Sequence, residues 1–194
     1  MDFINEFEEV LNAEKRLTGI IRETKLIFSE TFSCESGNNV YIKPENLQVT
    51  GAFKIRGAYN KVSKLSHEER KKGLVSSSAG NHAQGVAYAA KKLGVKATIV
   101  MPKATPLIKV EATKKLGAEV VLHGDCYDEA FAEAVRLEKE NGYIFIHPFN
   151  DIDVIAGQGT ISLEILKELA TTDCIIVPIG GGGLIAGIAL AAKK

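Results

Sequence analysis

The residues with the clearest chemical potential lie between Thr50 and Ala58, where Lys54 stands between an aromatic and an aliphatic side chain. The pattern predicts the first turn of a helix with Thr50 as its N-cap, because a threonine hydroxyl can accept a backbone N–H there. Apolar neighbours and the positive end of a helix dipole both lower a lysine pKa from about 10.4. The neutral amine that results can form a Schiff base with a carbonyl. On this stretch alone, an exposed helix lysine is the simpler interpretation.

A second segment, Ser76 to His82, places small and polar residues between a predicted strand and a predicted helix. Ligands of open α/β sheets gather at the carboxyl ends of strands, where backbone N–H groups form anion nests. A carboxylate or phosphate could dock there, and the Asn81 amide could donate to a phenolate-like oxygen. Gly80 to Gly85 has P-loop spacing, but Val86 and Ala87 stand where lysine and serine or threonine are required. An ordinary strand-to-helix turn is the alternative.

A third segment, Pro178 to Gly187, contains four consecutive glycines after an apolar run. Such a run costs backbone entropy and is tolerated where a bulky anion must approach bare backbone. With a helix following, the segment is suited to a phosphate group. Gly181, Gly183 and Ala186 also satisfy the dinucleotide pattern GxGxxG/A, but the acidic ribose partner about 20 residues later would fall beyond Lys194.

Together these segments supply an imine-forming lysine, a carboxylate nest and a phosphate cradle. A cofactor with an aldehyde and a phosphate would use the first and the third, and pyridoxal 5′-phosphate is such a molecule, an electron sink for amino acids. Among the histidines only His82 lies in one of these segments; His67, His123 and His147 stand singly. No histidine pair has metal-ligand spacing, so no metal is expected.

Composition excludes several other classes. The 194 residues carry 24 basic and 24 acidic side chains, so neither nucleic acid nor an anionic membrane is an expected partner. The three cysteines show no CxxC spacing, which indicates a reducing compartment. No apolar run reaches the roughly 18 residues of a membrane span. We therefore expect a soluble, cytoplasmic protein.

Hydrophobic periodicity predicts strands that alternate with helices, the pattern of a parallel α/β sheet. The predicted helices cover residues 3–14, the stretch that opens after the Thr50 cap and continues from Gly57 to Leu65, 81–93, 106–116 (with Pro106 at the first helical position), 126–141, 152–169 and 184–192. The predicted strands cover 25–28, 40–43, 74–76, 97–101, 119–122, 143–146 and 174–177. A parallel sheet rarely ends on such a helix, because a further strand normally covers it. The sequence is therefore expected to be the front part of a longer enzyme.

Three motifs resemble, in the same order, those of the pyridoxal-phosphate-dependent serine/threonine dehydratases. The attachment signature is matched by Glu45 to Ala58, the substrate-carboxylate loop by Ser78 to His82 and the phosphate loop by Gly180 to Leu184. The likeness covers nearly the whole chain and is greatest toward the catabolic threonine dehydratases (threonine ammonia-lyases).

This resemblance implies fold type II of the pyridoxal enzymes, an α/β fold of the tryptophan synthase β kind with two parallel-sheet domains. Residues 1–49 and 150–194 would belong to the larger domain, which would be incomplete. Residues 50–149 would form the smaller, inserted domain.

The resemblance also implies the roles of individual residues. Lys54 would hold the cofactor covalently and later move the α-proton of the substrate. Phe53 would pack near the pyridine ring, and Asn81 would bond to its 3′-oxygen. The phosphate would rest on Gly180, Gly181, Gly182, Gly183 and Leu184, and the substrate carboxylate would bind in the loop of Ser78, Ala79, Gly80, Asn81 and His82.

The implied reaction removes water from L-threonine or L-serine and gives 2-oxobutanoate or pyruvate and ammonia. Serine racemases resemble the chain but carry a serine where Ala79 stands, and a methyl group cannot move a proton, so elimination is favoured. Cysteine-synthase-like β-replacement is a further alternative, and a non-catalytic nucleotide-binding Rossmann module is a more distant one. A homo-oligomer, a dimer or tetramer, is implied, and catabolic relatives often bind AMP or CMP at a subunit interface.

Overall fold

The structure is a computed structural model that describes residues 3–193. Its helices are α1 (Phe3–Leu17), α2 (Glu30–Ser36), α3 (Lys54–Lys64), α4 (His67–Lys72), α5 (Asn81–Leu93), α6 (Leu107–Lys115), α7 (Tyr127–Asn141), α8 (Ile152–Glu168) and α9 (Gly183–Ala192). Its strands are β1 (Ile27–Phe28), β2 (Tyr41–Ile42), β3 (Leu74–Ser77), β4 (Ala97–Met101), β5 (Glu119–Leu122) and β6 (Ile144–Phe145).

Four strands form one parallel sheet in the order β5–β4–β3–β6. Val75 in the centre pairs with Thr98 on one side and with Phe145 on the other. Every residue of β3 and β4 is buried, as expected when helices cover both faces of a parallel sheet. The prediction of a parallel α/β sheet is therefore confirmed. A small antiparallel ribbon of β1 and β2 lies outside this sheet.

Helix α8 packs against α3 and α9, with their backbones in close contact. A Cβ atom on Gly157 would lie 2.6 Å from the carbonyl oxygen of Arg56, and one on Gly159 would lie 2.7 Å from that of Gly187. Only glycine permits such an approach, because any side chain would overlap backbone atoms that cannot move independently. The first turns of α3 and α9 are therefore both positioned by the same helix.

Arg56 also fixes the position of α3, through contacts made on the buried side of the helix. The side chain is completely buried, donates to both carboxylate oxygens of Glu45 at 2.8 Å, and donates to Glu164 at 2.6 and 2.9 Å and to Thr160 at 3.0 Å. Burial alone would lower the pKa of Arg56, but these carboxylates raise it. Removing one partner of such a buried pair costs about 3–5 kcal/mol. Arg56 thus holds the segment before α3, α3 itself and α8 together.

Thr50 and Pro106 do not have the positions predicted for them at helix N-termini. Thr50 does not cap α3, which begins at Lys54 after Phe53, and the Thr50 hydroxyl instead donates to the carbonyl of Ala52. The reason is a turn at Gly51, whose φ of +71° lies outside the helical region. Pro106 is the N-cap of α6 and not its first helical residue. The predicted first-turn position of Lys54 is confirmed.

The segment 174–177 is not a strand, contrary to the prediction. No strand within residues 3–193 pairs with it, and Ile176 is 94% exposed, so this apolar run has no neighbouring strand with which to form a ladder. Helices α2 and α4 were not predicted, since both are short and bury no residue. No helix among the described residues has the length and apolar character needed to cross a membrane.

Substitution Gly157→Ala is expected to lower the free energy of unfolding by about 2 kcal/mol. Overpacking costs about 1–3 kcal/mol, which exceeds the roughly 1 kcal/mol that alanine normally gains over glycine in a helix. Urea unfolding of both proteins measures the difference. Gly180→Ala is the control, because a Cβ atom there meets no atom within 4 Å. Equal stability of the Gly157 variant and the parent would contradict the helix contact described above.

Candidate active site

Lys54 is the first residue of α3 and its side chain is half-buried. Its Nζ atom donates to the carbonyl oxygen of Pro148 at 2.7 Å and lies 5.4 Å from the centre of the Phe53 ring. Burial lowers the pKa of Lys54, and within residues 3–193 no carboxylate pairs with it to oppose this effect. The predicted direction of the pKa shift is confirmed. The amine therefore gives up its proton more readily than an ordinary lysine.

A cavity of about 290 Å³ joins this amine to the glycine segment. Such a volume is close to the lower end of the range of about 300–1,000 Å³ for small-molecule sites. The lining residues are Phe53, Lys54, Pro148, Phe149, Gln158 and residues 178–185. Two predicted groups, the lysine with its aromatic neighbour and the glycine segment, are thus brought together across some 125 residues of chain.

The glycine segment ends in the first turn of α9. Gly182 is the N-cap, has φ +85°, and offers no side chain to the helix. The backbone N–H groups that open α9 therefore have no side-chain acceptor, and an uncapped helix N-terminus attracts an anion. Leu184 and Ile185, whose N–H groups belong to this turn, both line the cavity. The cavity consequently has an amine at one part of its wall and an anion-attracting turn at another.

Close contact with Phe149 requires two residues of the segment to be glycine. A Cβ atom on Gly181 would lie 2.3 Å from the Phe149 ring, and one on Gly183 would lie 2.8 Å from the Phe149 carbonyl oxygen. Gly182 is required by its left-handed backbone, whereas a Cβ atom on Gly180 would meet nothing. Close approach of an anion is therefore not the only reason for the run of glycines.

The loop of Ser78 to His82 follows β3 and opens α5, as predicted, but its residues do not line this cavity. Ser78 accepts the N–H of Gly80 at 3.2 Å through its hydroxyl, Ala79 is half-buried, and Asn81 is exposed. The His82 ring is buried and its Nε2 atom lies 3.0 Å from the carbonyl oxygen of Ile146. The ring of His82 is therefore enclosed by the protein and does not line the cavity.

Burial, with a smaller contribution from the charge of Lys54, lowers the pKa of His82 to about 4. The ring is therefore neutral at pH 7. Its Nε2–H then donates to Ile146, whose carbonyl also accepts from the Ser76 hydroxyl at 2.8 Å. The loop before α5 is thus attached to the same chain segment that contacts Lys54.

Pro148, Phe149 and Gln158 line the cavity but were not among the predicted site residues. The first two follow β6, so the rule that ligands gather at the carboxyl ends of strands could have indicated them. Gln158 lies inside α8 and accepts the N–H of Gly57 at 3.2 Å. No sequence pattern distinguishes it from a residue with a purely structural role.

Fold and site together define a class: parallel α/β proteins in which a lysine of lowered pKa shares a cavity with an uncapped, glycine-rich helix N-terminus. The sequence profile of the family described as "Pyridoxal-phosphate dependent enzyme" matches residues 17–194. The chain belongs to this family.

Individual relatives agree with this assignment. The chain is 52% identical over 187 residues to an L-threonine ammonia-lyase of Thermotoga maritima, a match that covers 96% of this chain and 47% of the relative. It thus spans about half the length of this curated relative.

Solved structures support the same family assignment. The processed form of threonine deaminase isoform 2 from Solanum lycopersicum superposes with a TM-score of 0.95 at 44% identity, covering 99% of this chain and 55% of that one. Maize serine racemase superposes with a TM-score of 0.93 at 41% identity, covering 96% and 57%. These neighbours confirm fold type II.

Lowering the pH is expected to destabilise the protein through His82. The unfolded histidine has a pKa of about 6.5 and the folded one about 4, so between these values only the unfolded chain takes up this proton. Stability from this residue is complete above pH 6.5 and is lost as the pH falls toward 4. Between pH 7 and 4.5 the parent should lose roughly 2–3 kcal/mol more than His82→Gln, which can still donate to Ile146.

Urea unfolding at several pH values measures this difference, and the comparison with the variant cancels the effect of the carboxylates. Parallel stability curves for the two proteins would show that the ring of His82 is not buried in its neutral form.

Proposed function

We propose that this protein is a pyridoxal-phosphate-dependent lyase that removes water from L-threonine, and from L-serine, to give 2-oxobutanoate or pyruvate and ammonia. The single observation that carries the proposal is the cavity in which the Lys54 amine and the N-terminus of α9 meet. The threonine ammonia-lyase and threonine deaminase among the relatives support this substrate class.

The residues present fit the cofactor. Lys54 has a lowered pKa and no carboxylate partner among the described residues, so its amine is available for a covalent bond to the aldehyde. Phe53 lines the cavity and offers a flat apolar surface to a pyridine ring. The backbone of Gly180 to Leu184 would receive the phosphate, and Asn81 would donate to the 3′-oxygen. When bound, pyridoxal phosphate supplies an electron sink for the carbon that loses its proton.

The chain's own groups account for the remaining requirements. In its unprotonated form, which burial favours, the Lys54 amine can accept the α-proton of an amino acid held beside it. The substrate carboxylate would bind in the loop of Ser78, Ala79, Gly80, Asn81 and His82 at the start of α5, where the helix dipole favours an anion. The hydrogen bond from the neutral His82 ring to the carbonyl of Ile146 keeps this loop attached to residue 146.

Racemisation is a second candidate, because maize serine racemase is a structural neighbour. The loop before α5 argues against it, since Ala79 has no group able to exchange a proton. Cysteine-synthase-like β-replacement shares the cofactor requirement and remains an alternative that substrate tests distinguish. A nucleotide-binding module without catalysis would instead bind a dinucleotide at Gly181 and Gly183.

Four finer features are also proposals. Likeness to the catabolic threonine dehydratases supports a homo-oligomer, a dimer or tetramer, and regulation by AMP or CMP. Cys34, Cys126 and Cys174 are free and exposed, which supports a reducing compartment such as the cytoplasm. The division into a small domain of residues 50–149 and a larger one of residues 1–49 and 150–194 also remains a prediction.

Substitution Lys54→Ala is expected to abolish both covalent attachment of pyridoxal phosphate and formation of keto acid from L-threonine, because no other amine lines the cavity within the described residues. Borohydride reduction followed by peptide mass analysis locates the cofactor, and a keto-acid assay follows the reaction. Lys92→Ala serves as the matched control, since Lys92 lies on the exposed side of α5.

Faster turnover of O-acetylserine with sulfide than of L-threonine would instead identify a β-replacement enzyme. Attachment of the cofactor at a lysine other than Lys54 would refute the proposed site.

Substitution Ala79→Ser is expected to introduce measurable racemisation of serine, because it places a hydroxyl able to exchange a proton in the loop before α5. Chiral chromatography of serine after incubation measures it, with the parent protein as reference. If the variant forms no D-serine while keeping its elimination activity, residue 79 does not have the role assigned to it.

A further inference from the structure

The segment that joins β6 to α8 contacts Lys54, the glycine turn and His82. The carbonyl of Ile146 accepts from His82, the carbonyl of Pro148 accepts from Lys54, and Phe149 packs against Gly181 and Gly183. We refer to residues 146–150 as the connecting segment. Its conformation decides where the lysine amine and the glycine turn lie relative to each other.

His147 holds this segment in a tight turn. Its Nδ1 atom accepts the backbone N–H of Asn150 at 2.8 Å and that of Phe149 at 3.3 Å. A backbone N–H can only donate, so Nδ1 must be unprotonated, and the neutral ring carries its proton on Nε2. An asparagine or aspartate side chain accepts a backbone N–H in the same way in an Asx turn.

The surroundings of His147 favour the neutral ring. The rings of Phe131 and Phe145 lie 6.2 Å from it and that of Phe149 lies 4.8 Å away, measured between centroids. Burial lowers the pKa of His147, the carboxylate of Asp151 partly opposes this effect, and the charge of Lys54 adds to it. The neutral, accepting form is thus the stable one at pH 7.

We propose that His147 is a positioning residue: its Nδ1 atom fixes the turn that presents the Pro148 carbonyl to Lys54 and the Phe149 ring to the glycine turn. The inference rests on the proposed pyridoxal phosphate site, since a misplaced turn would separate the amine from the phosphate-binding backbone. His147 itself does not line the cavity, so it acts through Pro148 and Phe149 and not on a ligand.

Two substitutions in the full chain distinguish the role of the Nδ1 acceptor from that of the aromatic ring. His147→Asn keeps an acceptor at the δ position and loses the ring, whereas His147→Phe keeps an aromatic ring among Phe131, Phe145 and Phe149 and loses the acceptor. We expect the phenylalanine variant to bind pyridoxal phosphate about tenfold more weakly, because a partly buried N–H loses its acceptor. The asparagine variant should stay within about threefold of the parent.

Hydrogen exchange without cofactor gives a readout that does not depend on the proposed function. The amides of Phe149 and Asn150 should exchange about tenfold faster in His147→Phe and near the parent rate in His147→Asn. Failure of the parent to bind pyridoxal phosphate would refute the proposed function, while the exchange rates would still test the turn.

Several results would overturn the inference. The first is an unchanged exchange rate of the Phe149 and Asn150 amides in His147→Phe. The second is a cofactor affinity that is unchanged in both variants. The third is an equal loss of affinity in both variants, because it would assign the effect to ring packing. Should the phenylalanine variant not fold, ¹⁵N NMR of the parent imidazole decides instead. A neutral ring protonated on Nε2 supports the proposal, and a proton on Nδ1 refutes it.

Discussion

The site depends on a positive charge that is buried two residues beyond the reactive lysine. Arg56 lies between Glu45, which precedes α3, and Glu164 on α8, and it is completely enclosed. Buried ion pairs add little net stability, because desolvation offsets their attraction, but an arrangement that leaves one charge unpaired is strongly disfavoured. We interpret Arg56 as the residue that allows α3 only one orientation on α8. The direction in which Lys54 leaves α3 follows from that orientation.

Environment, and not residue type, distinguishes Lys54 from the other lysines of its helix. Lys61 contacts Asp151 and Asp153 at 2.9 and 3.1 Å, and although burial alone would lower its pKa, these carboxylates raise it. Lys54 is also partly buried, and among the described residues it donates a hydrogen bond to the carbonyl of Pro148 and pairs with no carboxylate, so burial lowers its pKa. The same side chain therefore serves as a structural cation at one end of α3 and as an available amine at the other.

Patterns along the chain were sufficient to predict most of the secondary structure and the two groups that the cavity joins, Lys54 and the glycine segment. The apolar pattern located the parallel strands 97–101 and 119–122 and helix 81–93 at the bounds observed. Strand 97–101 is wholly buried and helix 81–93 buries one face, and such burial is visible in the sequence, whereas strand 119–122 is partly exposed. Short exposed helices such as Glu30–Ser36 carry no such signal, so α2 was missed. The segment 174–177 was misassigned because a short apolar run does not reveal whether a neighbouring strand is present to pair with it.

For the site, the sequence by itself determined which groups could take part: a lysine next to an aromatic residue, for which we propose imine formation, and a glycine run at the start of a helix. These signals are local, since residue type and spacing along a few residues carry them. Only the tertiary structure decided that Lys54 and the glycine turn share a cavity, that the buried His82 does not line it, and that Phe149 requires Gly181 and Gly183 to be glycine. These facts depend on how α3, α8 and α9 approach one another, and such close packing joins residues whose separation in sequence gives no sign of their contact.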